Sequence, residues 1–228
     1  MGRTMPNSLR TLLALIAFGL VVPAFPGASL IPGGDRIVAT AYAQARPAPP
    51  RLNDSRRERI RSGERLIYAE VGEMNRAEAI GLIDVPLADV IEILRDYPNY
   101  VHWYPSQRSA ELLSIDGLRA TARGELGMPF PFPNRHYTVE VNGRPIQHEG
   151  RNAVEVTWQY VEGSGNLREM HGFWFLQEWE EDVNKTLARY VLYVDLGTWL
   201  PDGVIRWGQR RMLPGIFDGI ESWHRQRG

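Results

Sequence analysis

Residues 154–160 read Val-Glu-Val-Thr-Trp-Gln-Tyr. Val154, Val156, Trp158 and Tyr160 fall on one face and Glu155, Thr157 and Gln159 on the other, the two-residue period of a strand with one buried side. The same period runs upstream, where Arg135, Tyr137, Val139 and Val141 oppose His136, Thr138, Glu140 and Asn142. Downstream, Gly163-Ser164-Gly165-Asn166 turns the chain into an extended stretch from Met170 to Trp179, and Lys185-Thr186 opens a last strand that reaches Asp195. Connections this short suit antiparallel neighbours, because parallel pairs need long crossovers. The middle of the chain therefore predicts an antiparallel meander.

On either side the pattern changes. Ile205, Gly208, Met212, Ile216, Ile220 and Trp223 recur at helical spacing, which predicts a long amphipathic helix covering the sheet, with a kink at Pro214-Gly215. On the N-terminal side, Ile67, Ala69 and Val71 alternate with polar neighbours, and a second extended stretch runs from Ala79 to Ile83. Asp84-Val85-Pro86 then opens a helix whose Val90, Ile91 and Leu94 share a face, and Tyr97-Pro98-Asn99-Tyr100 ends it. The predicted class is α+β, a curved antiparallel sheet wrapped around a long C-terminal helix. Where the inward side chains do not fill the space between them, a hydrophobic cavity results.

The chain has 228 residues, 43% of them hydrophobic, with seven Trp, nine Tyr and seven Phe, ample for a packed core. It begins with Arg3 and Arg10, an apolar run from Leu12 to Ala24 broken by Pro23, Pro26 and Gly27, and a small-x-small pattern at Ala41-Tyr42-Ala43. These features read as an export signal over residues 1–43, with cleavage after Ala43 and a periplasmic or secreted product; an uncleaved anchor is the alternative. Residues 44–62 are rich in Pro and Arg and read as a linker, whose arginines either touch anionic lipid headgroups or simply stay solvated. The working domain is then residues 63–228. Beyond Ala43 there remain 23 basic and 26 acidic residues, a net charge of −3. The absence of cysteine excludes disulfides, thiol nucleophiles and cysteine metal ligands.

Three stretches carry a family likeness. They are Ile83-Asp84-Val85-Pro86 followed by Asp96-Tyr97-Pro98-Asn99-Tyr100 and Trp103-Tyr104-Pro105, then Pro131-Phe132-Pro133-Asn134-Arg135-His136-Tyr137, then Tyr193-Val194-Asp195-Leu196-Gly197-Thr198-Trp199-Leu200-Pro201. In this order, with these elements between them, the chain resembles the START-like (SRPBCC, helix-grip) superfamily, of the START lipid-transfer type, over about residues 65–226. The resemblance implies an apolar tunnel closed by the long helix and used to bind one lipid or other hydrophobic small molecule. His136 stands where an acidic residue is usual, and Val141 stands where steroid-carrying members keep a buried Arg, so no particular ligand is implied.

Strand alternation makes Trp158, Tyr160 and Trp174 the wall candidates of such a cavity. Tyr100, Trp103, Tyr137 and Tyr190 join them, with Met212 and Ile216 from the helix. Phe130 belongs to the stiff stretch Met128-Pro129-Phe130-Pro131-Phe132-Pro133, which reads equally as a mouth loop meeting a membrane and as a packed loop between strands. Arg135 faces inward by parity. It either pairs with Asp84, Asp96 or Asp195 or holds the polar group of a ligand.

The alternative function is an enzyme of the same fold, of the polyketide cyclase/dehydratase or hydrolase type. It requires Arg135 with His102 or His171 and an aspartate inside the cavity. Nucleophilic-triad motifs, metal-ligand histidine spacing, phosphate loops and a basic stripe are all missing from the sequence. The expectation is thus no catalytic constellation, no cofactor, no metal and no nucleic acid. The protein is expected to act as a monomer with a hydrophobic ligand and to make transient contact with a membrane.

Overall fold

Alternation decides most of the strands in the computed structural model, which describes residues 47–72, 74–198 and 200–228. Helix α1 (Asp54–Arg61) precedes strands β1 (Leu66–Glu70) and β2 (Asn75–Ile83). Helix α2 (Leu87–Arg95), a helical turn over Tyr97–Asn99 and the short α3 (Tyr100–Trp103) follow. The meander is β3 (Gln107–Asp116), β4 (Arg119–Leu126), β5 (Arg135–His148), β6 (Arg151–Tyr160), β7 (Glu169–Glu178) and β8 (Thr186–Asp195), and α4 (Asp202–Arg227) closes the chain. All eight strands form one curved antiparallel sheet in the order β1-β2-β8-β7-β6-β5-β4-β3. The expected α+β helix-grip architecture is what the chain adopts.

The main core lies where α4 and α2 meet the sheet. Val90 and Leu94 of α2, Leu213, Ile216, Phe217 and Ile220 of α4, and Ile83, Leu176 and Ala188 of the sheet pack together. Thr186 is fully buried beneath them and donates its hydroxyl to the Val85 carbonyl at 2.8 Å, so its polar group is satisfied in the apolar interior. A second cluster, with Ala120, Ala122, Val139, Tyr160, Leu167 and Met170, sits further along the same face. Helix α4 runs through Pro214 from 202 to 227, although the ring removes one backbone donor at that point.

The N-terminal stretch corrects one expectation. Residues 54–61 are not linker: they form α1, capped by Asn53, whose Oδ1 accepts the Arg56 N–H at 2.9 Å. Ile60 is fully buried in a third cluster with Leu66, Ile80, Trp179 and Leu187. Arg57 and Arg61 pair with Glu180 and Glu181 beyond β7, and the Ala48 carbonyl accepts Arg189 Nη1 at 3.0 Å. The physical reason is that one well-placed isoleucine and ion pairs to residues some 120 positions further along the chain dock a segment whose composition is otherwise that of a spacer. On the face of the sheet opposite the cavity Phe173 and Phe175 are also buried, with the Arg189 guanidinium over the Phe173 ring and His148 edge-on to Phe175. The predicted export signal lies outside the described residues.

Candidate functional site

Between the sheet, α3 and the first half of α4 the side chains leave a cavity of about 610 Å³. Its walls come from strand faces selected by parity. Tyr137, Val139 and Val141 line it from β5, Val156 and Trp158 from β6, Met170 and Trp174 from β7, and Tyr190, Leu192 and Val194 from β8. Ile205, Met212 and Ile216 close it from the helix. Gly172 lies opposite Trp158 in the β6–β7 register, and a Cβ there would overlap the indole and the Val191 carbonyl, so the missing side chain gives Trp158 its place in the wall. The wall reaches the surface along Pro105–Arg108, Gly127–Pro129 and the exposed Arg211.

The polar groups of the cavity are chiefly tyrosine hydroxyls and amides. Tyr104 and Tyr190 hydroxyls lie 3.0 Å apart, Tyr137 donates to Gln107 Oε1 at 3.0 Å, and Tyr100 donates to the Leu94 carbonyl at 2.6 Å. Tyr190 also stacks on Trp158 with ring centroids 5.4 Å apart and tilts against Trp174 at 4.6 Å. Burial pushes all four hydroxyls above the ordinary phenol range, Tyr100 and Tyr190 well above it. At neutral pH they remain protonated donors. Among the described residues no Asp, Glu, Lys or His borders the cavity, and its three arginines, Arg108, Arg123 and Arg211, are exposed.

Of the residues singled out from the sequence, Tyr100, Tyr137, Trp158, Trp174, Tyr190, Met212 and Ile216 border this cavity. The other four do not. Trp103 is buried in the core against Tyr100, with ring centroids 4.5 Å apart. Tyr160 is likewise buried, one step beyond the end of the wall, in the second cluster. Phe130 is 96% exposed, in a loop with prolines at 129, 131 and 133. The packed-loop reading of that stretch is therefore corrected at Phe130.

Arg135 is buried as parity requires, but neither reading of its partner holds. Nη1 donates to the Pro133 carbonyl at 3.2 Å, and among the described residues no carboxylate lies within ion-pair range. Asp84 faces Lys185, Asp96 faces Arg227 and Asp195 faces Arg168, each at the surface end of its element. The histidines are also elsewhere. His102 is exposed and stacks on Trp223 at 5.0 Å, while His171 stacks on Tyr193 at 4.9 Å on the opposite face of the sheet and pairs with Glu169 at 3.3 Å. The acid–base set required by the enzymatic alternative is not brought together.

Tyr104, Gln107, Asn75 and Gln209 border the cavity without having been singled out as wall residues. Tyr104 stood in a quoted aromatic stretch, and a polar residue at an inward strand position is the signal that finds Asn75.

Known proteins place this architecture. The profile of the family described as "Polyketide cyclase / dehydrase and lipid transport" matches residues 83–220. Among solved structures, the chain is similar to the STAR-related lipid transfer protein from Xanthomonas axonopodis, with a TM-score of 0.57, 16% identity, and 71% of this chain and 98% of that one covered. It is also similar to human StAR-related lipid transfer protein 5, with a TM-score of 0.56, 14% identity, and 75% and 90% covered. A third is the Zhui aromatase/cyclase from Streptomyces sp. R1128, with a TM-score of 0.50, 15% identity, and 68% and 95% covered. At these identities the likeness is one of fold. Among curated proteins none matches by sequence.

Proposed function

The chain belongs to the polyketide cyclase / dehydrase and lipid transport family, and we propose that its domain binds one lipid or other hydrophobic small molecule between sheet and helix. The observation that carries this reading is the cavity itself: about 610 Å³, walled by Trp158, Trp174, Leu192 and Met212, with only uncharged polar groups in its interior. A space of that size suits a single small molecule and gains its affinity by removing apolar surface from water. The tyrosine hydroxyls then orient the ligand without charging it. The ligand passes between the loop at Gly127–Pro129 and the first half of α4, both of which border the cavity.

In this reading the domain acts as a single copy outside the cytoplasm, carried there by the basic, apolar and small-x-small segments of residues 1–43. Transient membrane contact is made by Phe130, whose exposed ring stands two residues from Met128 at the cavity rim. Among the described residues no helix is long and apolar enough to cross a membrane.

The test is native purification of the full chain from an exporting host, solvent extraction and mass spectrometry. One class of apolar molecule, near one per chain, is expected. An extract without such a molecule, together with a melting temperature that no apolar compound raises, would overturn the proposal.

A further inference from the structure

Hydrogen-bond accounting inside the cavity separates two ends. At the tyrosine end, Tyr100 and Tyr137 have committed their protons to Leu94 and Gln107. The Tyr104–Tyr190 pair holds two protons across a 3.0 Å contact that uses one. Whichever hydroxyl accepts keeps a donor of its own.

At the other end stand Asn75, the first residue of β2, and Gln209 on α4, both bordering the cavity. Asn75 Nδ2 donates to the Val194 carbonyl at 3.3 Å, and Gln209 Nε2 donates to the Arg76 carbonyl at 3.2 Å. A backbone carbonyl can only accept, so these bonds settle which way each amide faces. Asn75 Oδ1 and Gln209 Oε1 are then two buried acceptors with no hydrogen-bond partner among the described residues, and Asn75 as a whole is only 8% exposed. Buried acceptors are rarely left unpaired, because the loss of water is not compensated.

Register gives the separation of the two ends. Asn75 faces Val194 and Ala79 faces Tyr190, so the ends lie four residues apart along paired strands, roughly 13 Å at 3.3 Å per residue. Between them the wall is Ala77, Leu192, Trp158 and Met212.

We infer that the cavity takes an uncharged, two-ended molecule. Its apolar body spans that distance, an acceptor oxygen meets the Tyr104–Tyr190 pair, and a hydroxyl or N–H donates at the amide end, to Asn75 Oδ1 or Gln209 Oε1. A carboxylate would face two acceptor oxygens at the amide end and, at the tyrosine end, would lie among neutral hydroxyls without a buried cation, since the three bordering arginines are exposed. An ammonium would find no carboxylate, since none borders the cavity among the described residues. Because Gln209 sits on α4, a donor bound there also ties the cover down on its ligand. The inference rests on the binding function proposed above and adds the chemistry of the ligand's ends.

The experiment is competition against the neutral fluorophore N-phenyl-1-naphthylamine in the full chain. The competitors are 1-decanol, α,ω-diols of eight to twelve carbons, and decanoate. The best diol is expected to bind at least about threefold tighter than 1-decanol, the effect of one net hydrogen bond, and decanoate about tenfold weaker. The double variant Asn75→Leu/Gln209→Met should erase the diol's advantage over 1-decanol. A wild-type protein that prefers 1-decanol or decanoate to every diol overturns the inference, as does a double variant that weakens diol and 1-decanol equally; in either case binding itself stands. If neither the fluorophore nor any competitor binds, the binding function falls and the inference falls with it.

Discussion

From Phe217 to Ile220 the closing helix packs against protein on its inward side, whereas from Ile205 to Ile216 its inward residues border a space. In the second half Phe217 and Ile220 are fully buried. Arg65 donates to the Pro214 carbonyl at 3.0 Å, pairs with Asp218, and reaches Glu221 at 3.3 Å. Glu221 also accepts the Asp84 N–H at 3.0 Å, and His224 meets Asp89 at 3.0 Å. In the first half Ile205, Gly208, Gln209 and Met212 are half-buried and border the cavity, and Gln209 reaches the Arg76 carbonyl. One amphipathic helix thus serves as anchor at one end and as cover at the other. The difference teaches that its apolar stripe is satisfied by protein in the second half and awaits a ligand in the first.

Truncation is the harshest way to break the comparison. Phe217→Ala removes a fully buried ring and is expected to cost about 3–5 kcal/mol in urea unfolding, while Met212→Ala at the cavity should cost within about 1 kcal/mol. Equal losses at the two positions would remove the distinction between anchor and cover.

The glycines sharpen it further. A Cβ at Gly219 would overlap the Trp103 carbonyl oxygen, so Gly219→Ala is expected to destabilise by about 1–3 kcal/mol. At Gly208 a Cβ would meet nothing within 4 Å among the described residues, and Gly208→Ala should stabilise by about 0.5–1 kcal/mol, the ordinary helix preference of alanine. Thermal or urea unfolding of both variants reads the opposite signs directly.

Legibility in the sequence followed periodicity. β5 and β6 were readable because Tyr137, Val139, Val156 and Trp158 alternate with polar neighbours, and the same parity brought most of the expected aromatics to the cavity wall. At β7 alternation separates Trp174, which borders the cavity, from Phe173 and Phe175 on the far face; what it does not show is the docking of the 47–61 segment on that far face. That docking depends on one isoleucine, Ile60, and on arginines meeting Glu180 and Glu181, partners some 120 residues away along the chain. No local pattern encodes it. Arg135 was rightly turned inward, but parity carries no information about partners. Asn75, Gln107 and Gln209 were missed because amides on apolar faces look like surface residues until the opposing elements are in place.

Hydrogen exchange along α4, followed with and without N-phenyl-1-naphthylamine, tests the central claim most directly. Amides of residues 202–212 are expected to exchange faster than those of 217–224 in the free protein, and to slow when the compound fills the cavity, with 217–224 unchanged. Uniform protection along the helix, or a first half that does not respond to the compound, would contradict a cover poised over a ligand-binding cavity.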